Sequence, residues 1–181
     1  LIHQIPIERG LDTRDFVLHA FGGTCPMLAS TFAEELQVRK IVVPFTASVN
    51  CAFGMTTADV VHEFAKNHSI ALPCDGGVLI QAFEPLIAEA RQVLIDDDFP
   101  HEQSAIHCSV AMRYRLQVHE LIVPIPSATI ADLDLERLIG QFEQQYEKRY
   151  GKGSAYKQAG IEITQCRVSA HGLMPKPKLQ T

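Results

Sequence analysis

The sequence has no apolar run near the ~20 residues that a membrane-spanning helix needs. Residues 1–30 carry neither the basic start nor the apolar core of a secretory signal. No CxxC pair occurs, and the five cysteines (Cys25, Cys51, Cys74, Cys108, Cys166) are an odd and scattered set. That pattern reads as reduced thiols in a cytoplasmic protein. Positive charge is in short supply, with 16 basic against 21 acidic residues and a net charge of −5. This argues against nucleic acid or an anionic membrane as the main partner. No internal repeat is visible either.

What is present looks like an ordinary globular chain. It has 181 residues, 46% hydrophobic and 20% charged. A chain of this size is about one domain's worth and buries about 70% of the surface it exposes when unfolded. A disordered tail, a collagen-like chain and a coiled coil are excluded. The chain starts Leu1-Ile2-His3 rather than with methionine. We read that as a processed subunit or a piece of something longer.

Hydrophobic periodicity places the elements. Phe16 to Phe21 is a short apolar run and reads as a buried strand. Gly22-Gly23-Thr24-Cys25-Pro26 interrupts it, and from Met27 the pattern turns helical, with Pro26 suited to the first turn. Lys40 to Pro44 is a second buried strand. Strand, glycine turn, helix, strand is the expected unit of a parallel α/β sheet. Phe45 to Asn50 reads as a loop and residues 51–66 as a helix. The stretch 67–77, with Pro73 and Gly76-Gly77, marks a boundary between subdomains. Residues 78–97 form a long helix candidate with Pro85 as a kink or restart point. His107 to Tyr114 and Gln117 to Pro124 read as paired strands. Asp132 or Asp134 is placed to cap a helix running to about Tyr150. Ile161 to Ala170 reads as a last strand whose apolar phase slips by one, and a bulge near Gln165 accounts for the slip. Met174 to Lys178 reads as extended and exposed.

Several residues are candidates for chemistry. A strand that ends in Gly22-Gly23 and feeds a helix presents bare amides at a positive helix end, which suits an anion. The alternative is an ordinary tight turn, and the P-loop pattern is absent because no GKS or GKT follows. Cys25 lies just before the helix. It is either a thiol activated by the helix end, with His19 as the local base, or a small inert core cysteine. His62, His68, Cys74, His101, His107 and Cys108 form no recognised zinc spacing and read as scattered residues. Asp59, His62 and Glu63 share one helix face if residues 51–66 are helical, either as acid–base groups or as a solvated face. Asp96-Asp97-Asp98 would be unfavourable at a helix C-terminus and reads as a solvated turn.

Four segments together resemble a known family. Asp12 to Pro26 is similar to the "DPRDFxLxAFGGAGP" segment of the hydantoinase/5-oxoprolinase A-type family. Val42-Val43-Pro44 and Ala52-Phe53-Gly54-Met55 with Asp59 resemble its "VP…SALG…AD". Met112-Arg113-Tyr114 with Gln117 resembles "MRYxGQ", and Phe142, Tyr146, Tyr150 and Gly151 resemble "F…H…YG". Order and spacing match across nearly the whole chain. The resemblance is to the C-terminal part of a family that includes N-methylhydantoinases, 5-oxoprolinases and the ATP-dependent acetone and acetophenone carboxylases.

The resemblance implies an α/β fold, with part of an actin/sugar-kinase-like ATP-binding lobe over residues 1–72. A smaller α+β C-terminal domain would then cover residues 73–181. It implies ATP with Mg²⁺, used to phosphorylate a lactam carbonyl or a ketone enolate, so that the substrate is a small cyclic amide or ketone. It puts Gly22 and Gly23, with Thr24 and Cys25 in the same turn, at the nucleotide. It also implies partners, because the family's first ATP lobe is not in this sequence. Those partners are other subunits, as in the acetophenone carboxylase type, or the missing N-terminal part of the same enzyme. Some positions depart from the pattern. The last glycine of "GGAG" is Cys25, the His of "GPLH" is Leu28, and the glycine of "PxPGVxSALG" is Ser48. The glycine of "RYxGQ" is Leu116, and the His of "F…H…YG" is Tyr146. Two readings stay open: a working part of an ATP-dependent carboxylase or cyclic-amide hydrolase, and a non-catalytic structural subunit with a degenerate nucleotide site.

Overall fold

A run of apolar residues, a glycine turn and a proline-started helix build the first part of the molecule in the order the sequence predicts, although the two strands expected to be buried are largely exposed, Phe16, Val17, Phe21, Ile41 and Val43 among them. The computed structural model describes residues 4–8, 10–125, 130 and 133–177. A short helix α1 (Gln4–Glu8) leads, then β1 (Val17–His19), α2 (Cys25–Leu36) and β2 (Lys40–Val42). β1 and β2 pair in parallel, with Val17 opposite Lys40 and His19 opposite Val42. Pro26 occupies the first turn of α2, where its missing N–H loses no bond. The helix ends at Gln37, whose φ of +54° lets its N–H reach the carbonyls of Ala33 and Glu34. Thr13 Oγ1 donates to Leu36 O at 2.7 Å and fastens the preceding 13–15 turn to that end.

Residues 51–66 are not one helix. α3 spans Asn50–Thr57 and stops at Ala58, whose backbone is extended. From Val60 to Leu72 the chain is β3. Val60, Val61 and Phe64 favour a pleated strand, and residues 60–65 alternate between half-buried and exposed. Asp59, His62 and Glu63 therefore share no helix face, and His62 and Glu63 point to opposite sides of the sheet. The expected subdomain stretch 67–77 is mostly this strand and the start of the next helix.

The chain divides into two compact units. One runs up to Ala58 and resumes at Pro175; the other is Asp59–Met174. The two units meet at residues 58–59, and residue 72 is the end of β3 within the second unit. That unit holds an antiparallel sheet in the order β3, β6 (Ile161–Gly172), β4 (Ser104–Tyr114), β5 (Leu121–Pro124). The sheet's central strand β6 turns Ile161, Ile163, Cys166, Val168 and Ala170 into the core. The slip of phase is a real bulge, since Gln165 pairs with Ala111 but Ile163 pairs with Met112.

Two helices belong to this unit. α4 (Gly76–Asp96) begins at Asp75, whose carboxylate accepts from the Gly77 amide, and it continues through Pro85. Its stripe of Leu79, Ala82, Phe83, Leu86, Ala90 and Leu94 follows helical spacing and is buried. Asp96 is the last helical residue and Asp97 and Asp98 form the turn, so the acidic run only partly leaves the helix. α5 (Leu135–Tyr150) is capped by Asp134, whose carboxylate accepts from Arg137 N. Asp132, the other capping candidate, lies outside the described residues. The second strand of the expected pair is shorter than predicted and starts at Leu121. Burying a side chain such as Phe83 or Ile163 stabilises by about 1.5–3 kcal/mol each, and this core contains many of them. Gly172 closes one end, because the Phe99 ring occupies the place where a Cβ would sit.

Candidate functional site

The glycine turn joins β1 to α2 in the first unit. Gly22 has φ +93°, a conformation that glycine adopts without strain. Its N–H donates to Ala47 O at 2.7 Å, which ties the turn to the 47–49 segment. Pro26 has no N–H, and Met27 N–H donates to Thr24 O at 3.0 Å. Among the described residues no acceptor takes the amides of Gly23, Thr24 or Cys25. Those three lie at the positive end of a twelve-residue helix. A Cβ on Gly22 or Gly23 would meet nothing within 4 Å, so the space beside both is open. The turn can thus accept an anionic group through three amides, and Gly22 shapes the backbone rather than donating.

Cys25 is exposed and opens α2 with helical backbone, so this position does not need glycine. Ser48 sits in the short 47–49 helical turn, also without a positive φ. Leu116 differs: its φ is +70°, the region glycine favours. Of three substituted glycine positions, one retains the left-handed backbone.

The remaining candidates are dispersed. His62 Nε2 lies 2.7 Å from Asp97 Oδ2, across the β3–α4 interface. Glu63 faces Arg167 at 3.7 Å. Asp59 Oδ1 accepts the Met174 amide at 2.9 Å, so this carboxylate holds the chain's exit from the second unit. His107 meets His171 edge-on at 4.9 Å, and His171 Nε2 is 2.5 Å from Ser169 Oγ. Burial pushes the Cys108 and Cys166 thiols up, Cys166 to about 12, so neither is a thiolate near neutrality. No three His, Cys, Asp or Glu side chains among the described residues come together in a way that suits a metal ion.

Two motif segments far apart in sequence meet in the second unit. Tyr114 packs edge-on against Phe142 at 5.1 Å and Tyr146 at 4.9 Å, and Tyr146 lies tilted against Tyr150 at 4.6 Å. Tyr146 O–H donates to Gln117 Oε1 at 2.9 Å. Burial in this cluster raises the Tyr114 hydroxyl to about 12. These residues build a core, and Tyr146 serves as both its wall and its hydrogen-bond donor. Sequence reasoning had no signal for the Asp59–Met174 and His107–His171 contacts, which depend on strand pairing between distant segments.

Comparison with known proteins gives the family. Residues 1–64 match the hydantoinase/oxoprolinase profile and residues 73–181 match the hydantoinase/oxoprolinase C-terminal domain. The chain belongs to the hydantoinase/oxoprolinase family. Within it, the chain is 30% identical to a protein of Methanocaldococcus jannaschii over 97% of its own length and 24% of that protein. It is 29% identical to caprolactamase subunit alpha of Pseudomonas jessenii over 99% of its length and 27% of the subunit. The crystal structure of the ATP-dependent caprolactamase from the same organism superposes with a TM-score of 0.77 at 28% identity, covering 99% of this chain and 27% of that one. Nucleotide-free acetone carboxylase shares the fold, with a TM-score of 0.81 at 23% identity over 98% of this chain and 26% of that one. The chain therefore spans about a quarter of the length of these relatives.

Proposed function

We propose that this hydantoinase/oxoprolinase-family chain forms part of an ATP-dependent enzyme that acts on a small cyclic amide or ketone. In this reading the first unit belongs to a nucleotide-binding lobe of the actin/sugar-kinase type. The observation that carries the reading is the glycine turn: three amides without a described acceptor, at a helix N-terminus, beside open space. The family membership and the ATP-dependent relatives support it.

ATP, bound with Mg²⁺, would supply a phosphoryl group either to a lactam carbonyl oxygen, activating that carbon toward water, or to a ketone's enolate oxygen, holding the enol form for carboxylation. The chain's own part is binding and orientation. The amides of Gly23, Thr24 and Cys25 donate to an anionic oxygen, and the α2 dipole adds roughly half a positive charge there. Gly22 holds the backbone open through its φ and its bond to Ala47 O. Companion polypeptide, as other subunits or as more of the same chain, supplies the facing half of the nucleotide site. Five free thiols support a reducing, cytoplasmic setting.

Gly23→Val tests the reading. Gly23 has no positive φ and a new Cβ there meets nothing, so the variant folds like the wild type. The assembled enzyme is titrated with a fluorescent ATP analogue. A loss of affinity of about tenfold or more, with turnover falling in parallel, is the expected result. Affinity and turnover both unchanged would leave the turn without a nucleotide role and favour the structural-subunit reading.

A further inference from the structure

In the second unit, the C-terminal end of α4, the 97–103 segment and the start of β4 line a cavity of about 450 Å³. Small-molecule sites occupy roughly 300–1,000 Å³. Leu94 and Ile95 of α4, Phe99 of the connecting segment and Ile106 of β4 form its apolar lining. Leu94 is 3% exposed and Ile95 63% exposed, so the lining runs from the core out to solvent. The walls are fixed. Phe99 N–H donates to Leu94 O at 2.9 Å, and Leu173 N–H donates to Gln103 O at 2.7 Å. Ser104 Oγ donates to Pro100 O at 3.0 Å, and the Phe99 ring fills the space beside Gly172. A lining held in place beforehand loses little entropy when a ligand enters.

Charge at the cavity is one-sided. Arg91 and His101 line it and form no side-chain hydrogen bond or ion pair with a described residue. Three and four residues from Arg91 along α4 stand Ile87, Ala88, Leu94 and Ile95, so its own helix offers it no carboxylate. The neighbouring acidic run is engaged elsewhere. Asp96 accepts from Gln92 at 2.8 Å, and Asp97 lies 2.7 Å from His62. Among the described residues no carboxylate lines the cavity. Ser104 directs its hydroxyl proton to Pro100 O, which leaves the guanidinium and the imidazole as donors.

We propose that this cavity binds a small carboxylate with an apolar body. The carboxylate pairs with the Arg91 guanidinium and accepts from a His101 ring N–H, and the hydrocarbon covers Ile95, Phe99 and Ile106. Burial of the hydrocarbon supplies affinity, and the arginine sets orientation. One arginine balances one negative charge, which favours a carboxylate over a phosphate dianion. A fixed concave lining with its cation at one edge favours a small ligand over a polypeptide surface. The assignment goes beyond the nucleotide reading and uses no residue of the glycine turn.

The test uses the enzyme as purified from its native host through a tag on this chain, titrated with hexanoate by ligand-observed saturation-transfer NMR. Wild type binds hexanoate with a Kd on the order of 0.1–1 mM. 1-Hexanol, with the same hydrocarbon and no charge, binds about tenfold more weakly. Arg91→Met keeps helix propensity at an exposed position; it weakens hexanoate about tenfold and leaves 1-hexanol within about twofold. Ile95→Gln, also at an exposed position, weakens both ligands by about fivefold. Both variants melt within about 2 °C of wild type, so the losses are not those of an unfolded protein. No saturation transfer to hexanoate up to about 10 mM would overturn the proposal, and is the outcome if polypeptide fills the cavity in the enzyme. Hexanoate binding that both variants leave unchanged would place the ligand elsewhere and overturn the site. Tighter binding of hexyl phosphate than of hexanoate would overturn the choice of a carboxylate.

Discussion

The two compact units bury their apolar residues to very different degrees. In the second, Leu79, Phe83, Val110, Met112, Tyr114, Val123, Phe142, Ile163, Cys166, Val168 and Ala170 are at or near zero exposure around one sheet and two helices. In the first, the described buried residues are Ala20, Ala29, Ala33 and Leu36. Phe45 is 86%, Met27 79% and Met55 76% exposed. Its sheet is two parallel strands of three residues each. Parallel strands are normally covered on both faces, and a two-stranded pair is marginal alone. The second unit thus has a core of its own. The first has the form of a fragment of a larger sheet, which agrees with our proposal that companion polypeptide completes a nucleotide lobe.

The contrast is open to attack, starting with the largest expected effect. Phe83→Ala in the second unit should destabilise this chain by about 3–5 kcal/mol. Phe45→Ala in the first should stay within about 0.5 kcal/mol. Urea unfolding measures both, and comparable losses would show that exposure does not distinguish the units energetically.

A smaller effect concerns alkaline pH. Cys166 is raised from its ordinary 9.0 to about 12, and Tyr114 from 10.0 to about 12, both mainly by burial. The folded state holds these protons more tightly than the unfolded chain. Their contribution is therefore fully present below about pH 9 and is lost as pH rises through about 12. Melting of the second unit should be flat with respect to these groups below pH 9 and fall between 9 and 12. Cys166→Ala should make that fall shallower. In the first unit the ion pair to Arg14 holds the Asp12 carboxyl down to about 2. Its effect appears on the acid side, above about 2 and below the ordinary carboxylate range.

Much of this was legible in the sequence where local chemistry and long-range packing agree. Gly22, Gly23 and Pro26 fixed the first strand–turn–helix, because their backbone preferences leave few alternatives. The spacing of Leu138, Phe142 and Tyr146 marked α5. The slip between Ile163 and Cys166 marked a bulge that strand pairing bears out. Residues 60–66 misled because Val60, Val61 and Phe64 fit helix and strand periods alike over so short a window. Gly76-Gly77 looked like a break, and Asp75 caps a helix that starts on them. At the site, the glycine turn was visible from residue types. That Gly22 N–H is taken by Ala47 O, and that Pro26 and Met27 offer no amide, needed the fold. Asp59 looked like an acid–base group beside His62 and Glu63, yet it binds a backbone amide 115 residues away.

Hydrogen exchange on this chain alone and in the assembled enzyme tests the central claim most directly. The account predicts that amides of β3, β4 and β6 are protected in both states. It predicts that amides of β1 and β2 exchange rapidly in the chain alone and become at least a hundredfold slower in the assembly, a change of about 2.8 kcal/mol at 1.4 kcal/mol per tenfold. Equal protection of β1 and β2 in both states would mean that the first unit needs no covering polypeptide, and would contradict the account.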